Sequence, residues 1–225
     1  GGGQGADAGE AAFLAFTGGR GASGGECAVF RWDGARFRRL QALSLPADGR
    51  DAEAFAVGSG GALFLAVVHD RAVDIYSAPA TRLRNVSESG GAGTFRLKQR
   101  LEVPHGRDVA HFRMDGAEHL ALAVFRDEAS HAADSRVYRW EPARELFVEV
   151  QRLRTEGAAD VELVEVAGAP RMLVANQRSG VAAAYARNSA GEWVERGGVE
   201  TPNVMDLAWH HLNESDLYFL GVACF

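Results

Sequence analysis

One pattern recurs along this chain and limits what it can fold into. Its clearest copy runs from Ser135 to Asn176, SRVYRWEPARELFVEVQRLRTEGAADVELVEVAGAPRMLVAN. β-Branched and aromatic runs at Val137–Trp140, Leu146–Gln151, Asp160–Val166 and Arg171–Ala175 are separated by Glu141-Pro142-Ala143-Arg144, by a loop holding Gly157, and by Gly168-Ala169-Pro170. Short runs of this kind between turn residues predict four antiparallel strands. A four-stranded sheet alone cannot bury both of its faces, so it requires copies of itself to pack against.

The copies are marked by two landmarks. The strand-opening aromatics Phe30, Tyr76, Tyr138 and Tyr185 lie 46, 62 and 47 residues apart. The aspartates Asp51, Asp108, Asp160 and Asp206, each following a loop, lie 57, 52 and 46 apart. From aromatic to aspartate is 21, 32, 22 and 21 residues, and an insertion around Arg82 to Thr94 accounts for the outlier. Further excess falls at Asp127 to Asp134, between two strands. Added loop length costs little closure entropy. A four-strand repeat of about 46 residues is the signature of a β-propeller blade.

VYRWEPARELFVEVQRL followed by GAADVELVEVAGAPRMLVAN resembles the EAR repeat, also called EPTP. FRWDGARFRRLQAL with GRDAEAFAV, and FRLKQRLEV with GRDVAHFRMDG, resemble it too. Ser77-Ala78 and Ala186-Arg187 stand where the pattern has Arg-Trp. The family includes the secreted leucine-rich glioma-inactivated proteins, a thrombospondin-type laminin G protein and a very large adhesion G-protein-coupled receptor. The resemblance covers the chain from Phe13 onward. It implies a seven-bladed ring, an extracellular setting, receptor or adhesion ectodomains as partners, and a Ca²⁺ in the central channel. In some members a cysteine matching Cys27 pairs with one on the next innermost strand; here that strand reads Asp51-Ala52-Glu53-Ala54-Phe55, so Cys27 and Cys224 are expected as two buried free thiols.

Seven blades of this size require over 300 residues. With 225, the chain is expected to hold four to five of the seven, or to close as a ring of five small blades. Residues 1–12, rich in Gly and Ala, are expected to be a flexible lead-in, and residues 13–225 the propeller segment. Apolar residues make up 47% and charged residues 24%, which excludes global disorder. No run of eighteen apolar residues marks a membrane-spanning helix. A net charge of −6 opposes a nucleic-acid surface, which needs clustered Lys and Arg.

Candidate chemistry concentrates on the four aspartates. If they begin the innermost strand of successive blades, they converge on the axis, joined by Glu53 and Glu162 two positions on. Converging carboxylates without a basic partner repel unless a hard cation sits among them, which makes Asp51, Asp108, Asp160 and Asp206 candidate metal ligands. The alternative is that each caps its own loop by accepting backbone N–H groups. No histidine pair has zinc-helix spacing, and no nucleophile elbow or phosphate loop is present. His105, His119, His131 and His211 fall in loops or at strand ends and are expected to be exposed. Trp32, Trp140 and Trp193 are expected to pack between blades. Asn85-Val86-Ser87 and Asn213-Glu214-Ser215 are N-glycosylation sequons. The combined expectation is an all-β propeller segment serving as an extracellular protein-binding module without catalytic residues. The alternative is a propeller enzyme that uses the channel carboxylates on a small substrate.

Overall fold

The computed structural model describes residues 13–21, 24–58, 62–79, 95–212 and 217–224. The lead-in at 1–12, the insertion at 82–94 and both sequon asparagines lie outside these residues. Seventeen strands form five antiparallel sheets. The first holds β1 (Phe13–Gly21), β2 (Gly24–Trp32) and β3 (Phe37–Leu45). The second holds β4 (Gly49–Val57), β5 (Ala62–His69), β6 (Ala72–Ala78) and β7 (Arg96–Leu101). The third holds β8 (Gly106–Met114), β9 (Ala117–Val124), β10 (Asp134–Glu141) and β11 (Leu146–Arg154). The fourth holds β12 (Ala158–Val166), β13 (Ala169–Asn176), β14 (Val181–Arg187) and β15 (Trp193–Glu200). The fifth holds β16 (Val204–Leu212) and β17 (Leu217–Cys224). Each sheet is a meander in chain order, and β1, β4, β8, β12 and β16 contact one another in succession. These are propeller blades with β4, β8, β12 and β16 innermost.

The repeat and the blade are out of phase by two strands. The unit Ser135–Asn176 supplies β10 and β11, the outer half of the third blade, and β12 and β13, the inner half of the fourth. The four runs therefore do not form one sheet. The turn through Glu156 and Gly157 carries the chain from an outermost strand to the next innermost one. Gly157 takes φ 65°, and a Cβ there would press on Arg178. The Gly168 hairpin turns on Ala167 (φ 50°) and Gly168 (φ 74°), the two positive dihedrals of a tight hairpin turn, with Ala169 and Pro170 already in β13.

The cores lie between blades. Along β9, Leu120, Leu122 and Val124 pack toward the second blade with Phe55, Phe64, Val73, Ile75 and Val103. Ala121 and Ala123 face the fourth with Met172, Val174 and Tyr185. The second strand of each full blade is covered on both faces, which is why it reads as a continuous apolar run and not as an alternating one. Tyr76, Tyr138 and Tyr185 each pack into the cluster shared with the preceding blade. Trp193 is buried and Trp140 half-buried, edge-on to Phe64 of the preceding blade. Trp32 departs from expectation: it is 37% exposed and packs on Phe37 of its own sheet, because among the described residues no earlier sheet faces it. Cys27 is buried and free, its thiol pushed up to about 11 by burial and by Glu26 and Asp51. Cys224 is free but exposed, contrary to expectation, because β17 is an edge strand of the two-stranded sheet.

A second set of repeat-equivalent contacts ties the outer strands together. Gln41 donates through Nε2 to Phe95 O at 3.0 Å and accepts Phe95 N–H at 2.8 Å. Gln99 makes the same pair of bonds to Phe147, both 2.8 Å. Gln151 makes them to Trp193, at 2.7 and 2.8 Å. Each glutamine follows a bulge opposite the strand-opening aromatic, at Phe30, Tyr76 and Tyr138. A bulge re-aims the next side chain out of the ladder. The primary amide then serves as a detached peptide group for the neighbouring blade. Replacing Gln99 by Ala leaves a half-buried N–H and C=O of Phe147 unpaired and is expected to cost about 1–3 kcal/mol. Glutamate should not rescue it, because a carboxylate cannot donate to Phe147 O. Denaturant unfolding of the two variants checks this; wild-type stability in Gln99→Glu would show that the donated bond contributes nothing.

Candidate functional site

The four aspartates occupy one structural position: the third residue of β4, β8, β12 and β16. In each strand a bulge falls just before the aspartate, between Gly49 and Asp51, Gly106 and Asp108, Ala158 and Asp160, and Val204 and Asp206. Three of the carboxylates reach the neighbouring blade and do not cap their own loops. Asp51 Oδ2 accepts the N–H of Val109 at 3.2 Å, Asp108 Oδ2 that of Val161 at 3.0 Å, and Asp160 Oδ2 that of Leu207 at 3.0 Å. Asp51, Asp108 and Asp160 thus each satisfy an amide on the open edge of the next blade's innermost strand, one residue beyond the next aspartate. Glu53 does likewise for the N–H of His111.

This placement crowds the carboxyls. Asp108 lies between the carboxyls of Asp51 and Asp160 and couples to both, so the crowding favours its protonated form. Burial, then Asp51 and Asp160, raise the Asp108 carboxyl well above the usual range. Burial likewise raises Asp160 to about 6 against the bonds from Asp108 and Leu207. Glu53 reaches about 7 through burial and the charge of Asp51, and burial raises Glu162 beside Asp160 and Asp206. The row is graded along the arc: Asp51 and Asp108 are half-buried, Asp160 is buried, and Asp206 at the last sheet is exposed.

The donor set is oxygen-rich and acidic, as a hard cation prefers. One oxygen of each of Asp51, Asp108 and Asp160 is nevertheless taken by backbone N–H, and among the described residues no three His, Cys, Asp or Glu side chains gather as a metal site. The row as arranged does not fit a calcium held by side chains alone.

Several residues with unusual chemistry were not singled out by pattern. Asp74 is fully buried, with Arg100 donating at 2.6 and 2.8 Å and His69 Nε2 lying 3.4 Å away. Burial would raise its carboxyl, but Arg100 and His69 overcome that and hold it at about 2. His119, expected at the surface, is buried in β9 and stacked on Phe112. The F-x-x-x-Q spacing of Phe37/Gln41, Phe95/Gln99 and Phe147/Gln151 was a visible signal for the outer contacts.

Raised carboxyl pKa values mean that the folded state binds more protons than the unfolded state. Stability therefore falls as pH climbs from the ordinary carboxyl range near 4 through about 6 for Asp160 and about 7 for Glu53. Glu53→Gln keeps an acceptor for His111 N–H and removes the charge. It is expected to raise the melting temperature at pH 8 and leave it unchanged near pH 4. Asp108→Asn should behave in the same way, whereas Asp108→Ala strands the Val161 N–H and destabilises at both. A melting temperature that rises with pH in the wild type would contradict the crowding described here.

Comparison with known proteins follows the same lines. Residues 94–141 match the model of the EPTP domain. The thrombospondin-type laminin G domain and EAR repeat-containing proteins of Mus musculus and Homo sapiens are 38% and 36% identical over 86 residues. Each match takes in 38% of this chain and 13% of the relative, so the chain covers a small part of their length. Among solved structures, a Bacteroides fragilis protein assigned provisionally as a 6-phosphogluconolactonase superposes with TM-score 0.56 at 14% identity, over 88% of this chain and 57% of that one. BBS1N, solved with ARL6DN, superposes with TM-score 0.50 at 14% identity, over 93% and 59%. At these identities the likeness is one of fold alone.

Proposed function

Because this chain belongs to the EPTP repeat family, also called EAR, we propose that it is a non-catalytic, extracellular protein-interaction module whose partners are receptor or adhesion ectodomains. The observation that carries the non-catalytic part is the use made of the axial carboxylates. Three of the four bind a backbone N–H of the next blade, and all four are repeat-equivalent. One oxygen of each of those three is thereby committed to holding the blade edge and not to a substrate. Blades locked at both edges present rigid rims, and the chain's irregular lengths fall in connections between strands, where binding surfaces vary most freely.

Two further proposals belong to this reading. Secretion implies glycans at Asn85 and Asn213, seen as a mass loss when the secreted protein is treated with an N-glycosidase. A channel Ca²⁺ would have to draw on carboxyl oxygens already bonded to backbone N–H and recruit carbonyls and waters. It would appear as a calcium-dependent rise in melting temperature that Asp108→Asn with Asp160→Asn removes.

The test of the main reading is a screen of the secreted chain against cell-surface ectodomains, run beside hydrolysis assays on lactones and glycosides. The expected result is saturable binding to an ectodomain that Asp108→Asn leaves intact, with no turnover above buffer. Turnover abolished by Asp108→Asn would replace this reading with that of an enzyme.

A further inference from the structure

Successive blades leave clefts between their outer halves. Between the second and third blades the cleft has a volume of about 480 Å³. Phe64 lies edge-on to Trp140 there, Ser77 flanks them, and Lys98 sits over the Trp140 ring, paired with Glu145 at 2.8 Å. The corresponding cleft between the third and fourth blades has a volume of about 330 Å³, and its chemistry is inverted. Counting from the repeat landmarks, His119 stands where the first cleft has Phe64, Arg139 where it has Ser77, and Arg187 where it has Trp140. Three equivalent positions have thus become basic in a chain of net charge −6.

The acids lining this cleft are already engaged. Asp115 accepts from Arg187 Nη1, whose Nε also donates to Gly191 O at 3.0 Å. Glu192 accepts from Asn188 Nδ2 at 3.0 Å. Arg139 has no hydrogen bond or ion pair among the described residues. His119 Nδ1 binds Ala117 O at 3.0 Å, which leaves Nε2 for a ligand. A second cleft of about 280 Å³ adjoins the first, sharing Arg139 and Val150 and walled by Trp140, Pro142 and Val148. Val150 is the bulged residue of β11 and 54% exposed, an apolar lip between the two. Guanidinium forks suit carboxylates, and an apolar hollow beside them suits a neighbouring side chain on an extended peptide.

We propose that these adjoining clefts dock an acidic peptide segment of a partner protein, its carboxylate between Arg139 and Arg187 beside His119 and an apolar side chain in the Trp140–Pro142–Val148 hollow. This rests on the reading of the chain as a protein-interaction module. An acidic sugar fits less well, because Trp193 is buried and Lys98, Phe64 and Phe147 already crowd the Trp140 ring, which leaves it as a wall and not as a stacking platform. Burial, with Arg139 and Arg187 nearby, holds the His119 imidazole below its ordinary value. An incoming carboxylate reverses that balance, so binding takes up a proton and tightens as pH falls. The other charged groups facing the cleft are Asp115, Arg139, Arg187 and Glu192, and Glu141, paired with Arg144 at 3.3 Å, borders the adjoining hollow.

The probes are two capped hexapeptides, glycine throughout except for a glutamate and a leucine placed one or two positions apart, titrated into the whole chain by calorimetry. At least one is expected to saturate, with a glutamine counterpart at least about tenfold weaker. Arg139→Gln should weaken it by a similar factor without moving the melting temperature, because Arg139 is exposed and holds nothing. Binding should be several-fold tighter near pH 5.5 than near pH 8, and His119→Gln should flatten that dependence. Equal binding of glutamate and glutamine peptides, no saturable binding, or glucuronate binding as tightly as the peptide would each overturn the proposal. The interaction-module reading would survive if an ectodomain bound Arg139→Gln as it binds the wild type.

Discussion

The innermost strand of each blade has one edge with no strand beside it, and its amides need acceptors. Unpaired edge groups are costly when buried and invite wrong pairing when exposed. Here the preceding blade supplies the acceptor. A bulge at the second residue of the strand sends the third, an aspartate, across to the neighbour's N–H. The third and fourth blades both receive this bond and give one, so the contact runs from β4 to β16 in three equivalent steps. The crowding of acids near the axis follows from this arrangement, as does the raised carboxyl of Asp108.

The outer edge uses the same device with a neutral group. A bulge precedes Gln41, Gln99 and Gln151 as it precedes the aspartates, and again the re-aimed side chain serves the next blade's backbone. The fourth copy breaks the series, with Gly197 where the glutamine should be and β15 largely exposed. The cleft between the third and fourth blades keeps its glutamine contact, through Gln151 and Trp193, and changes only the residues that line its mouth. Binding chemistry can therefore vary there without loosening the blades, which is the division of labour expected of an interaction scaffold.

The blade, its strands and the axial position of the aspartates were legible from spacing, because the aromatic and aspartate landmarks survive every insertion and the undisturbed intervals show the 46-residue period. The phase of the blade was not legible. A repeat looks alike wherever it is cut, and only hydrogen-bonded pairing shows that β11 and β12 belong to different sheets. Nor could spacing give the target of each carboxylate, which is a backbone N–H set by the bulge and not by any side chain. His119 was misplaced because a strand covered on both faces buries polar and apolar residues alike, and the fourth blade that covers it lies some 60 residues downstream in the sequence.

If side chains close the blade edges in this way, the amides of Val109, Val161 and Leu207 should exchange with solvent as slowly as ladder amides, although no strand pairs with them. Amide hydrogen exchange of the folded chain measures this directly. The account predicts protection at all three, and Asp108→Ala releasing Val161 while Val109 and Leu207 stay protected. Fast exchange at these amides in the wild type, or release of all three by the one substitution, would contradict it.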